Sequence, residues 1–128
     1  MGRGMRVTNV TDRVLLLGGN LFESGKINVP ANDTVPAGTV LTRDTNDKKL
    51  FLPAGATDDF VAIVPFDLEN VNATPKITGF RACISGQVRG DMIIIDGTPA
   101  TVDQCDLLRD KTGIIAKQVT DISHLDNQ

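Results

Sequence analysis

A mostly β fold is what this sequence predicts: a small β-barrel or sandwich-like domain with one short helix near the C-terminus and an extended N-terminal arm. Three observations lead there. Apolar residues fall in short, β-branched runs bounded by Gly, Pro, Asn and Asp. A single stretch, beginning at Thr101, carries both helical spacing and a cap. The 128 residues suit one domain, and 41% hydrophobic against 23% charged residues allow a core of ordinary size.

Residues 1–12, MGRGMRVTNVTD, alternate weakly through Met5, Val7 and Val10 and hold too few apolar groups to fold alone. They read as a flexible N-terminal arm that becomes a strand when given an edge, leaving 13–128 as a single β-rich domain. Residues 13–17 are a strand candidate that Gly18-Gly19-Asn20 punctuates. Residues 20–34 read as a loop or an irregular β segment.

Pro36 and Gly38 set a turn into a strand ending near Thr42, and Asp44-Thr-Asn-Asp47 is a dense turn signal before a return strand over 48–52. A loop over 53–59 follows. The run FVAIVPFDL, 60–68, is nearly continuously apolar, as in a strand covered on both faces. Pro65 within it has no ladder donor and should mark a bulge, an edge or a strand end. Residues 70–76 are a polar turn, and 77–89 a long strand with bends expected at Gly79 and Gly86.

Gly90-Asp91 is a turn and 92–95 a buried strand. Thr101 and Gln104 fit a capping box, with Val102, Cys105 and Leu108 on one helical face and Leu107 widening the stripe. Gly113 supplies a left-handed stop. Residues 114–116 form a last strand, and 121–128 a polar tail.

Composition removes several classes of function. Aromatics are 4%, without Trp or Tyr, which leaves little stacking surface for single-stranded nucleic acid or sugar. A net charge of -3 disfavours a phosphate-tracking body, and Arg3 and Arg6 are too few to reverse that. No apolar run approaches the ~20 residues of a membrane span, and no signal-peptide core is expected.

Cys83 and Cys105 lack a neighbouring His, so no zinc pattern forms, and two reduced, largely buried thiols are expected. The only histidine, His124, lies in the polar tail, where a general base would not be held rigidly. Ser24, Ser85 and Ser123 sit in no nucleophile motif. The carboxylates, Asp44, Asp47, Asp58, Asp59, Asp67, Glu69, Asp91 and Asp96 among them, fall mainly in turns that favour Asp. Asp44-x-Asn46 begins like a calcium loop, but Lys48 stands where the third ligand would be. The expectation is a protein that is not an enzyme, with no cofactor, metal, nucleic-acid, membrane or small-molecule partner.

The segment 40–64, VLTRDTNDKKLFLPAGATDDFVAIV, resembles the central part of lambda-like phage head decoration proteins. That family runs from a strand through an Asp-led turn and a lysine-leucine return strand. A Gly/Thr/Asp loop and an apolar strand, usually Val-Gly-Ile-Leu, come next. The preceding TVPAGTVL, 34–41, is similar to the family's Gly before a Thr-Val-Leu strand. ITGFRACISGQVR, 77–89, looks like the strand holding its Gly-X-Val element. The helix and Gly113-Ile-Ile-Ala116 follow in the same order. The resemblance spans residues 34–119, and departs at Ala62, where a Gly is common, and in the tail beyond Val119.

The resemblance implies a β-tulip-like body and a homotrimer on the outside of an expanded icosahedral capsid at local threefold positions. There it would cement neighbouring copies of the major capsid protein against internal DNA pressure. Its location would be the virion exterior after synthesis in the host cytoplasm. The arm would add a strand to capsid subunits, with Arg6, Val7, Thr8, Asn9 and Val10 as its contacts. The competing expectation is a small β-barrel binding module for a carbohydrate or protein ligand.

Overall fold

The computed structural model describes residues 15–117. Two long strands organise them: β1 (Leu16–Val29) and β7 (Lys76–Arg89) pair antiparallel from Val29↔Lys76 to Leu16↔Val88. Between them come β2 (Asp33–Val35), β3 (Val40–Arg43), β4 (Leu50–Pro53), β5 (Ala62–Ile63) and β6 (Leu68–Asn70). After β7 follow a 3-10 turn (Gly90–Met92), β8 (Ile94–Ile95), β9 (Thr98–Pro99), the helix α1 (Val102–Thr112) and β10 (Ile114–Lys117).

The main sheet runs β1-β4-β3-β5-β7, and the β1–β7 pairing closes it into a five-stranded barrel. Closure pairs both edges of the sheet within the domain. β10 lies parallel to β7 beside its C-terminal end, Ile114↔Gly86 to Lys117↔Arg89. β2–β6 and β8–β9 are separate two-stranded ribbons. The expected mostly β barrel with a single helix near the C-terminus is the observed architecture.

The run at 60–64 is apolar on every residue because β5 has a core on each side. Ile63, Val40 and Cys83 belong to one buried cluster with Leu15, Phe60, Val88, Ile93, Ile95, Leu108 and Ile114. Ala62, Leu41 and Ala82 face another, with Ile27, Val29, Val35, Phe51 and Val64. Side chains alternate between faces along a strand, so consecutive buried residues require this double cover. Only Ala62–Ile63 hold strand geometry, however. Pro65 has no N–H to continue the ladder, and the chain leaves the sheet there.

Gly18-Gly19-Asn20 does not end a strand. β1 continues through it with register shifts between Leu16 and Phe22 and unbroken pairing from Phe22 to Val29, so of the two expectations for this stretch the irregular β segment is the one observed over 20–29. The side chain of Asn20 holds the bulge: Oδ1 accepts from Gly18 N at 3.1 Å, and Nδ2 donates to Gln87 O at 3.1 Å. Opposite lies Gly86, at φ 109°, where a Cβ would meet Asn20 Cα at 2.7 Å. The expected bend at Gly86 is thus real. Gly79 sits in unbroken register opposite Lys26 and is no bend.

The β3–β4 hairpin forms as expected, with Leu41↔Pro53 to Arg43↔Phe51. Asp44 Oδ2 builds its turn by accepting from Asn46 N at 3.0 Å and Asp47 N at 2.8 Å. Residues 92–95, expected as one strand, divide into the 3-10 turn and β8. Asp96 and Gly97, at φ 54° and 77°, then return the chain into β9, the Asp-Gly signature of a two-residue hairpin.

α1 has the full capping box: Gln104 N donates to Thr101 Oγ1 at 3.2 Å, and Thr101 N donates to Gln104 Oε1 at 2.9 Å. Gly113 ends it at φ 85°. The expected apolar stripe is narrower than its spacing suggested. Leu108 alone is buried, joining the cluster of Leu15, Phe60 and Ile114, while Val102 and Leu107 are exposed.

Candidate interaction surface

Where the chain leaves β5, the sequence Val64-Pro65-Phe66-Asp67 turns from core to surface within three residues. Val64 is fully buried and Phe66 is 67% exposed. Two hydrogen bonds fasten the excursion to the segment before β3. Gly38 N donates to Val64 O, and Ala37 N donates to Asp67 Oδ1, both at 2.8 Å. Gly38 itself, at φ 94°, lies against the 3-10 turn so closely that a Cβ would collide with the Met92 carbonyl, and its O accepts from Ile94 N at 2.9 Å. Phe66 is therefore a ridge on a fixed backbone.

A hollow lies on either side of it. The first, about 730 Å³, has Leu16, Ala37, Met92, Ile94 and Pro99 in its walls. The second, about 470 Å³, is bounded by Phe22, Pro65, Leu68, Phe80 and Arg81. Both are apolar with few charges: Asp67 and Asp91 in the first, Arg81 in the second. The Arg81 guanidinium sits 5.5 Å from the centre of the Phe22 ring. Among the described residues it forms no ion pair with a carboxylate. An exposed aromatic ridge flanked by apolar hollows is the kind of patch that marks an interaction surface.

Leu15, the first described residue, is buried in the wall of the first hollow, and its O accepts from Arg89 N at 2.9 Å. Leu15 thus brings the chain into the barrel at this same surface. Arg6, Val7, Thr8, Asn9 and Val10 lie outside the described residues, as do the domain boundary at 12/13 and His124.

No family model matches the sequence, and no curated protein matches it. The surface is consequently judged by its own chemistry. Among the described residues no three of His, Cys, Asp and Glu are grouped to hold a metal ion. Both cysteines are free, and burial raises both thiols above the ordinary range. That keeps them protonated and weakly nucleophilic at neutral pH. Glu23 and Asp47 are held below their ordinary values by hydrogen bonds from Arg43 and Lys26 respectively. Those shifts belong to ion pairs on the barrel wall, and none of the four residues lines either hollow. What the ridge and hollows can do is bind apolar groups.

The strand end expected at Pro65 is observed, but the apolar run 60–68 does not show that Phe66, beyond it, stands in solvent. Pro65 carries that signal, since a chain that cannot extend its ladder must turn, and the next side chain goes with it.

Proposed function

We propose that this is a capsid decoration protein, a structural virion component without enzymatic activity. It docks as a homotrimer at local threefold positions on the outside of an expanded icosahedral shell and cements adjacent copies of the major capsid protein. Residues 1–12 supply the docking strand, with Arg6, Val7, Thr8, Asn9 and Val10 adding to an exposed capsid sheet edge.

The observation that carries the reading is the join at Leu15. A leader of β-prone sequence enters a closed five-stranded barrel at Leu15, beside an exposed apolar surface, so each barrel strand already has its neighbours within the domain. The order of elements across the resembling segment also supports it: hairpin, apolar strand, long strand, helix, final strand.

The energetics suit the task. One strand pairs through backbone hydrogen bonds but must be ordered first, so a single arm binds weakly. Three arms on one body raise the effective concentration and can multiply avidity by ~100-fold or more. A ligand that binds only the expanded shell stabilises that shell by mass action.

The test is co-sedimentation with empty expanded heads that lack a decoration protein. The full chain should saturate the heads, and deleting residues 1–12 should weaken binding by at least about tenfold while the barrel stays folded. Undiminished binding by the truncated chain would contradict the proposal.

The second reading is a small β-barrel binding module for a protein or carbohydrate ligand. The apolar walls of the larger hollow favour a protein ligand over a sugar. Such a module would keep its ligand after the same deletion.

A further inference from the structure

We infer that β7 carries an open sheet edge from Ile77 to Arg81, and that this edge receives an extended strand of the major capsid protein with an apolar side chain opposite Phe80 and a carboxylate opposite Arg81. The choice of partner rests on the decoration reading above. The edge adds to it a second attachment, on the body and separate from residues 1–12.

The edge follows from strand lengths. β7 has 14 residues, and on the side away from β1 it meets β5 at one residue pair, Ile63↔Cys83, and β10 only from Gly86 onward. From Arg81 back to Lys76, no strand among the described residues pairs with that side. The ring of strands closes, but β7 outruns the neighbour that closes it.

Two hydrogen bonds fix which backbone groups face outward. Lys26 N donates to Lys49 O at 2.9 Å, so Lys26 turns its N–H and C=O toward β4. Its cross-strand partner Gly79 therefore stands in a non-hydrogen-bonded pair and turns its own N–H and C=O away from β1. Ile77 and Arg81, two residues to either side in unbroken register, do the same. From the opposite direction, Val64 N donates to Thr39 O at 3.0 Å, so Ile63 faces β7 at Cys83, which has the same parity as Arg81.

Continuing the Ile63↔Cys83 register would set Pro65 opposite Arg81. Pro65 has no N–H to give, and the chain turns off there to Phe66. The hollow of about 470 Å³ between Pro65, Phe66 and Leu68 on one side and Phe80 and Arg81 on the other is the place that β5 vacates.

An edge of this kind is a template for an extended strand, whose backbone completes the ladder. Directly opposed side chains share a face of the sheet. The incoming residue opposite Phe80 thus enters the apolar hollow. Its neighbour opposite Arg81 meets an exposed guanidinium with no ion-paired carboxylate among the described residues. The fitting segment is a β-prone run with an apolar residue next to an Asp or Glu. Residues 1–13 of a second copy fit poorly, since Arg3, Arg6 and Arg13 bring like charge to Arg81.

The experiment is hydrogen–deuterium exchange of the full chain, read residue by residue, free and after binding to expanded heads. In free protein the Gly79 and Arg81 amides should exchange fast, and those of Phe80 and Ala82, which face β1, slowly. On heads Gly79 and Arg81 should slow by at least about tenfold. Arg81→Glu should weaken head binding about tenfold with thermal unfolding unchanged, since the side chain is exposed. Slow Gly79 and Arg81 amides in free protein would mean the edge is already covered and would overturn the inference. Arg81→Glu binding as tightly as wild type would overturn the carboxylate contact. A chain that ignores heads sinks the decoration reading and the capsid strand with it. Heads bound with residues 1–12 protected and the β7 edge still fast sink this edge alone.

Discussion

Arg43 grips Glu23 with both arms of its guanidinium: Nη2 donates to Oε1 at 2.6 Å and Nη1 to Oε2 at 2.8 Å. Glu23 is on β1 and Arg43 on β3, so the pair spans β4, whose buried Phe51 ring lies 5.1 Å beneath the guanidinium. The same Nη1 donates to Lys48 O at 2.9 Å, tying in the β3–β4 turn. One side chain thus joins three of the five barrel strands.

Substituting Glu23→Gln should cost about 1 kcal/mol at neutral pH, a figure kept small because both partners are partly in solvent. Hydrogen bonds from Arg43, with its charge adding and slight desolvation opposing, hold the Glu23 carboxyl below its ordinary value of 4.5. The folded-state pKa lies below the unfolded one, so the stabilisation is complete above that ordinary value and is lost as pH falls through the folded pKa. Urea unfolding of both proteins from neutral to strongly acid pH checks this. The gap should close in acid, and a gap that persists there would mean that charge is not the cause.

Asn70 is a second tie, 3% exposed, with Nδ2 reaching Val29 O at 3.1 Å, Pro30 O at 3.2 Å and Thr74 O at 2.9 Å. Its Oδ1 accepts from Asn72 N at 2.9 Å. Asn70→Ala should destabilise by about 2 kcal/mol or more, because buried carbonyls lose their donor. Asn70→Asp should be worse at neutral pH than in acid, since an ionised carboxylate would face those carbonyl oxygens. Denaturant midpoints at two pH values decide both.

Gly25 lies where β1 passes over Phe51, and a Cβ there would overlap the Phe51 ring. Phe51 is fully buried and cannot yield without disturbing its cluster. Gly25→Ala should therefore cost about 1–3 kcal/mol, in contrast to the gain that a Gly→Ala change gives in an open, compatible strand. Calorimetric melting of the variant measures it.

Thiol labelling should separate the cysteines. Cys83 is buried on β7, with Sγ 3.3 Å from Ser85 O, whereas Cys105 is half-buried on α1. In the native protein Cys105 should react with a thiol-specific dye first, and Cys83 should react only on unfolding. Equal native rates would contradict the packing around Cys83.

These ties explain how much of the molecule was legible in its sequence. The capping box at Thr101–Gln104, the stop at Gly113 and the Asp44 turn are local patterns, fixed by residue type and spacing, and are legible in the sequence. The double-faced cover of β5 was legible as well, because continuous apolar character has few other causes. The strand through Gly18–Asn20 was not, since the bulge depends on Gly86 lying opposite, a partner far away in the chain. The exposure of Val102 and Leu107 was hidden for a like reason: helical spacing shows a stripe but not how wide a surface awaits it. The strand end at Pro65 is legible, but the exposure of Phe66 is not, because its apolar character continues past the point where the core ends. Asp96-Gly97 carries a hairpin signature that its apolar neighbourhood masks.

The central claim, that the leader gains a partner strand on a capsid, is tested most directly by hydrogen–deuterium exchange on residues 1–12, free and head-bound. The account predicts that the amides of Arg6, Val7, Thr8, Asn9 and Val10 exchange much more slowly on heads than in free protein. Equal exchange in the two states, with the protein demonstrably bound, would contradict it.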